Sequence, residues 1–260
     1  MPRAVIRIRP EPHYRREAFE QGLRRIGHTV VSGREAEHWR PESRADLLVL
    51  WNRKQGIDEM HAEVWESNGG TVLVVENAYL QKVDKSMYAI STHQHNGAGW
   101  FPTDPAGHRF SALGFDLKDP VVRPEGYLLV MGQRGIGSKL MASPANWGEK
   151  QMSGLIGQRA KLRPHPGNFK PKVSLEQDLA GARAVRIWSS GAGVRALVEG
   201  LPVAYCAPAW ICAGVHDGDV FTREEVLNHM AHGQWTVEEI ASGEPFARMQ
   251  AAKWGPKLWR

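Results

Sequence analysis

Cysteine is nearly absent from this chain: Cys206 and Cys212 are the only two in 260 residues. Two thiols with neither zinc spacing nor the density of a disulfide scaffold point to a reducing, cytoplasmic setting. No run approaches the ~20 apolar residues of a membrane span. Met1-Pro2-Arg3-Ala4-Val5-Ile6 turns charged too soon for a signal peptide, so no membrane partner is expected. A Gly-x-Ser-x-Gly elbow and a Walker-type Gly-Lys-Ser/Thr loop are both missing, which sets aside α/β-hydrolases and P-loop kinases. Internal repeats and low-complexity segments are missing too. Acids are missing locally: Arg159 to Lys172 holds five Lys or Arg, Arg248 to Arg260 holds four, and neither stretch has an Asp or Glu.

Those stretches contribute to a net charge of +5 and a pI of about 9.3. Such runs serve as solvated faces, and they also suit a polyanionic partner. Apolar residues make up 42% of the chain, enough for a sizeable core in one large domain or two small ones. Ten tryptophans are many for this length. Several fall in predicted loops, where aromatic rings can stack on bases or sugars.

The periodicity predicts strands at Ala4 to Ile8, Thr29 to Val31, Leu47 to Leu50 and Thr71 to Val75. Helices marked by Phe19, Leu23 and Ile26, and by Ile57, Met60 and Val64, lie between them. Alternation of this kind implies a parallel sheet covered by helices. From Asn77 to Glu125 the pattern fades into an irregular, Gly-, Pro- and His-rich region, ending in a linker from Asp119 to Glu125. A second α/β half then runs through Tyr127 to Met131, Trp147 to Ile156, Lys161 to Arg163 and Ala184 to Trp188. It continues through a helix packed by Val194, Leu197 and Val198, and a strand from Val203 to Cys206. Capping-box patterns begin at Ser174, Thr222 and Thr236. The expected architecture is α/β, with two Rossmann-like domains whose parallel sheets face a central cleft. Residues 1–118 form one, and residues 119–260, with the closing helices, the other.

Open parallel sheets bind ligands at the carboxyl ends of their strands. In the second half this rule gathers Gly132 to Ser138, Pro164 to Asn168 and Ser189 to Gly193. Gln133, Arg134, Gly135, His165, Ser189, Ser190 and Gly191 then become candidates to hold a nucleoside diphosphate, with backbone amides at a helix opening suited to phosphate. In the first half the same rule selects Arg9 with His13 and Tyr14, then Trp51, Asn52 and Arg53, then Glu76, Asn77, Ala78 and Tyr79, followed by the loop carrying His95, Asn96 and Trp100. Trp51, Asn52, Arg53, Asn96 and Trp100 are the acceptor-side candidates. Transfer to a hydroxyl needs a base, for which His95 is favoured over His93, Glu76 and Asp104. His93 and His95 lack a third ligand at metal spacing, and Asp217-Gly218-Asp219 reads as a glycine turn, so no metal is expected.

The small-residue turn Ser189-Ser190-Gly191-Ala192-Gly193, the Ala196-Leu197 pair and Gly200-Leu201-Pro202-Val203 resemble the donor-side signature of GT-B glycosyltransferases. The resemblance runs from Leu128 to about Val215. Arg163-Pro164-His165-Pro166 is similar to a motif of polysaccharide-type members, which adds Arg163 to the donor set. Leu50-Trp51-Asn52-Arg53, Glu76-Asn77-Ala78-Tyr79-Leu80, His95-Asn96-Gly97-Ala98-Gly99 and Gly132-Gln133-Arg134-Gly135-Ile136-Gly137 look like a phage-type group of small glycosyltransferases. The resemblance implies a nucleotide-sugar co-substrate, a UDP-sugar by expectation, and no other cofactor. Some phage transferases act on hydroxymethylated pyrimidines in double-stranded DNA, so a 5-hydroxymethylpyrimidine in phage DNA is the first expected acceptor, met in the host cytoplasm. A surface or capsular saccharide is the second expectation. A non-catalytic nucleotide- or DNA-binding module is the third, favoured by Arg195 standing where the family usually has a ribose-binding Glu.

Overall fold

A computed structural model describes residues 1–32, 40–81, 86–95, 97–104, 106–213 and 222–256. In chain order its elements begin β1 (Arg3–Arg7), α1 (Arg16–Arg25), β2 (Thr29–Ser32), β3 (Leu47–Trp51) and α2 (Ile57–Ser67). They continue with β4 (Thr71–Asn77), β5 (Met87–Thr92), α3 (Arg109–Ala112), β6 (Tyr127–Met131), α4 (Trp147–Ser153) and β7 (Ala160–Arg163). Next come α5 (Leu175–Gly181), β8 (Ala182–Ile187), α6 (Gly191–Val198), β9 (Val203–Tyr205) and α7 (Arg223–Ala231). The chain closes with β10 (Gln234–Thr236), α8 (Val237–Ser242) and α9 (Glu244–Ala251). No helix among the described residues is long and apolar enough to cross a membrane.

Two compact units form, Met1–Asp104 with His232–Arg260, and Pro105–Ala231. The first unit holds a six-stranded sheet in the order β10-β5-β4-β3-β1-β2. Strands β1 to β4 are parallel, as the unbroken apolar runs of β3 and β4 predict for strands covered on both faces. Strand β5 departs from the expected irregular region. Its residues are all buried, and it runs antiparallel between β4 and β10.

The last closing helices also sit elsewhere than expected. Helix α7 stays in the second unit, but α8 and α9 belong to the first, because β10 pairs with β5, placing Trp235 opposite Tyr88, and α8 follows directly. Gly22 on α1 permits the approach of α8: a Cβ there would stand 2.0 Å from the Ile240 carbonyl oxygen. Thr236 closes a complete capping box with Glu239, as the pattern predicted.

The second unit has a four-stranded, all-parallel sheet in the order β7-β6-β8-β9. Leu128, Val130, Trp147 and Leu155 pack one face. The segment read as a linker is pinned to this unit. Lys118 N–H donates to the Val198 carbonyl (3.0 Å) and Val121 N–H to that of Gly200 (2.9 Å). The unit boundaries therefore fall before and after this segment, not within it.

Candidate functional site

Strands β7, β6 and β8 are parallel neighbours, so the loops leaving Met131, Arg163 and Ile187 emerge side by side. Two of these loops are stitched together. The Gln133 side-chain amide donates to Ser189 Oγ (2.9 Å) and accepts from Ser189 N–H (3.1 Å). Ser189 Oγ in turn donates to the Met141 carbonyl (2.7 Å). Gln133 and Ser189, expected to touch the donor, thus hold the loops in place. Ser190 caps α6 by accepting from Ala192 N–H (3.2 Å), and Gly191 opens the helix, whose positive end lies at this edge. Gly193 serves packing: a Cβ there would lie 2.5 Å from Ile187 Cδ1. Gly135 serves the turn, with φ of +67° and the Ser143 carbonyl 2.8 Å from where a Cβ would stand.

The loops after β6 and β7 also lie against each other. The exposed Arg134 guanidinium lies against Gly167, so close that a Cβ on Gly167 would be 2.8 Å from one of its nitrogens. Gly167 N–H donates to His165 Nδ1 (2.9 Å). Burial first, and then the Arg134 charge, hold His165 below its ordinary pKa. Arg134 and His165 therefore meet at the edge with the opening of α6 nearby along the sheet. Arg163 does not join them. Its guanidinium bonds the Val173 and Ser174 carbonyls (3.0 and 3.2 Å) and the Asp178 carboxylate, which also holds Lys161. Its role is to tie β7 to the start of α5. Arg195 pairs with Glu199 one turn along α6 (3.0 Å).

In the first unit the expected acceptor residues separate. Trp51 and Asn52 stay at the carboxyl edge of β3, Asn52 turning the chain with φ of 57° and Trp51 edge-on to Tyr14. Arg53 is withdrawn. With its side chain 4% exposed, it bonds Glu59 (3.0 Å), Glu66 (2.8 Å) and the His93 carbonyl (2.5 Å). Burial opposes its charge, and the two carboxylates more than offset that, leaving its pKa raised. This is a buried structural cluster where an acceptor hydrogen bond was expected.

The antiparallel course of β5 relocates the histidines. His93 follows the end of β5, and its N–H bonds Val72 near the start of β4, at the sheet edge opposite Asn77. His93 Nδ1 meets Glu66 (2.9 Å), and His95 is buried. The favoured base thus lies toward the amino ends of the parallel strands, away from the carboxyl edge that motivated its choice. Glu76 stays at the carboxyl end of β4, where Tyr79 donates to it (3.1 Å). Asp104 is exposed and meets His232 through its backbone carbonyl (3.0 Å). The Trp100 ring is covered by Gly255, where a Cβ would stand 2.4 Å from it. Asn96 and Asp217-Gly218-Asp219 lie outside the described residues.

The strand-end rule selected Arg9 and Tyr14 in the first unit, but not the cations Arg7, Arg16 and Lys54 that join them. The ends of β1, β2 and β3 open into a cavity of ≈ 620 Å³ whose walls include Arg7, Arg9, Arg16 and Lys54. Its signal was the i, i+2 spacing of Arg7 and Arg9 as the first strand ends. No three of His, Cys, Asp and Glu gather as a metal site among the described residues.

No protein-family model matches this sequence, and no curated protein does. Solved structures match its fold. The β-Kdo 2,7 transferase of Thermosulfurimonas dismutans KpsC is 13% identical, with a TM-score of 0.55, covering 95% of this chain and 99% of that one. The β-Kdo 2,4 transferase of the same organism's KpsC is also 13% identical, with a TM-score of 0.53 and 90% of each chain covered. At that identity the likeness establishes a GT-B-like α/β fold, as the donor-side motif implied.

Proposed function

We propose that this chain is a glycosyltransferase that takes a sugar from a nucleotide-sugar and passes it to a hydroxyl. The observation carrying this reading is the carboxyl edge of the second unit, where Arg134, His165 and the opening of α6 come together on adjoining loops. In the transfer the acceptor oxygen bonds to the anomeric carbon as the bond to the donor phosphate breaks. Arg134 and the amides of α6 stabilise the departing phosphate. The acceptor proton passes to a base.

A saccharide is the favoured acceptor, since both structural neighbours are named as Kdo transferases. Hydroxymethylated DNA is the second reading, supported by the exposed Arg159, Lys170 and Lys172. The basic stretch is weaker than its sequence suggests, because Lys161 and Arg163 are both held by Asp178.

The test is incubation with a panel of UDP-, GDP- and CMP-sugars, following release of free nucleotide, and then mass spectrometry with saccharide and hydroxymethylated-DNA acceptors. Cleavage of one donor, abolished or strongly slowed by Arg134→Ala, is the expected result. A folded protein that binds nucleotide yet cleaves no donor would instead be a binding module.

A further inference from the structure

We infer that the cavity in the first unit is an anion site, and that the ligand it takes is an acidic saccharide, bearing a carboxylate or a phosphate. The topology comes first. From β1 the chain moves to β2 on one side and then to β3 on the other, so the strand order reverses between β1 and β3. Crevices at such a reversal, outside the carboxyl ends, are where open parallel sheets bind ligands. The cavity occupies that place: its walls come from the ends of β1, β2 and β3 and the turn into α2.

Its chemistry follows from the lining. Among the described residues four cations, Arg7, Arg9, Arg16 and Lys54, face a single carboxylate, Asp58. Glu20 holds Arg16 at 2.7 Å. Arg7, Arg9 and Lys54 have no ion pair among the described residues. Like charges gathered around a confined space repel one another, and an anionic ligand relieves that repulsion. Tyr14 and Trp51 supply an aromatic wall, their ring centroids 4.6 Å apart and edge to face. An aromatic wall beside guanidinium groups suits the apolar face of a pyranose whose acid points at the arginines. A neutral sugar would leave the cations unanswered.

The inference rests on the transferase reading only in treating this ligand as the acceptor. Binding can be measured without turnover. Calorimetric titrations of the full chain with glucuronic acid, glucose 6-phosphate and glucose compare a carboxylate, a phosphate and a neutral ring. At least one acidic sugar is expected to bind, with affinity falling as salt rises, and glucose is expected not to. Arg9→Gln and Lys54→Gln, each checked by circular dichroism, are expected to weaken that binding about tenfold or more per lost charged contact. Nucleotide binding at the second unit should stay unchanged. Equal binding of glucose and the acids, or acid binding untouched in both variants, overturns the proposal. So does saturation by a DNA oligonucleotide alone. Donor cleavage assayed with and without acceptors separates the two readings: its absence under both conditions with acid binding intact removes the transferase and leaves the site.

Discussion

Gln133 and Ser189 exchange two hydrogen bonds, the Gln133 amide donating to Ser189 Oγ (2.9 Å) and accepting from its N–H (3.1 Å). The pair locks the loop after β6 to the turn before α6, so the loop carrying Arg134 and the opening of that helix are fixed together. Ser189 is 4% exposed, and its hydroxyl also serves Met141. Ser189→Ala leaves buried polar groups without partners and is expected to cost about 1–3 kcal/mol in denaturant unfolding. Nucleotide affinity should fall with it. In a double-mutant cycle the two substitutions should be partly non-additive, because they share the Gln133–Ser189 Oγ bond while Gln133 keeps its bonds to Ser189 N–H and the Met141 carbonyl in Ser189→Ala.

Arg134 is proposed to stabilise the leaving group. Arg134→Ala is expected to raise the barrier by about 2–4 kcal/mol, a loss of roughly thirtyfold to a thousandfold in donor cleavage, with unfolding unchanged. Gly167→Ala tests the same group without deleting it. The added Cβ meets only the end of the flexible Arg134 side chain, at 2.8 Å, so the guanidinium shifts and the fold survives. Steady-state rates should place Gly167→Ala between wild type and Arg134→Ala.

Arg53 was an acceptor candidate in the sequence, and its surroundings reassign it to stability. Arg53→Met leaves Glu59 and Glu66 without their buried counter-charge and is expected to cost about 3–5 kcal/mol. Thermal and denaturant unfolding would show the loss directly. A well-folded Arg53→Met protein with reduced acceptor affinity would restore the original assignment.

The local parts of the fold were legible in the sequence. Strands β1, β3, β4, β6 and β8 announce themselves as apolar runs, and the boxes at Ser174 and Thr236 form as patterned. What escaped was non-local. Strand β5 exists as a pair with β4 and β10, and β10 arrives from far along the chain. That antiparallel return carries His93 and His95 away from the carboxyl edge. The site shows the same division. Arg134 and His165 come together because three parallel strands end side by side, which periodicity predicts. Arg53 and Arg163 looked equally available, yet carboxylates at Glu59, Glu66 and Asp178 take them, and no spacing rule marks those pairings.

His165 gives a pH dependence with a definite sign. Burial and the neighbouring Arg134 lower its pKa in the folded chain from an ordinary value of 6.5. The unfolded chain therefore takes up the proton more readily. Stability from the neutral ring is present above about pH 6.5 and is lost as pH falls through the folded pKa. His28 and His229 are lowered by burial and act in the same direction, so the whole protein is expected to lose stability on acidification through this range. Protonation also removes the Nδ1 acceptor that Gly167 N–H uses at 2.9 Å. A donor phosphate bound beside Arg134 reverses the effect, since its negative charge favours the imidazolium. An NMR titration of the His165 ring should show a pKa below 6.5 in the free protein, moving up when nucleotide is added. A ring whose titration is indifferent to saturating nucleotide would place the phosphate away from Arg134 and His165.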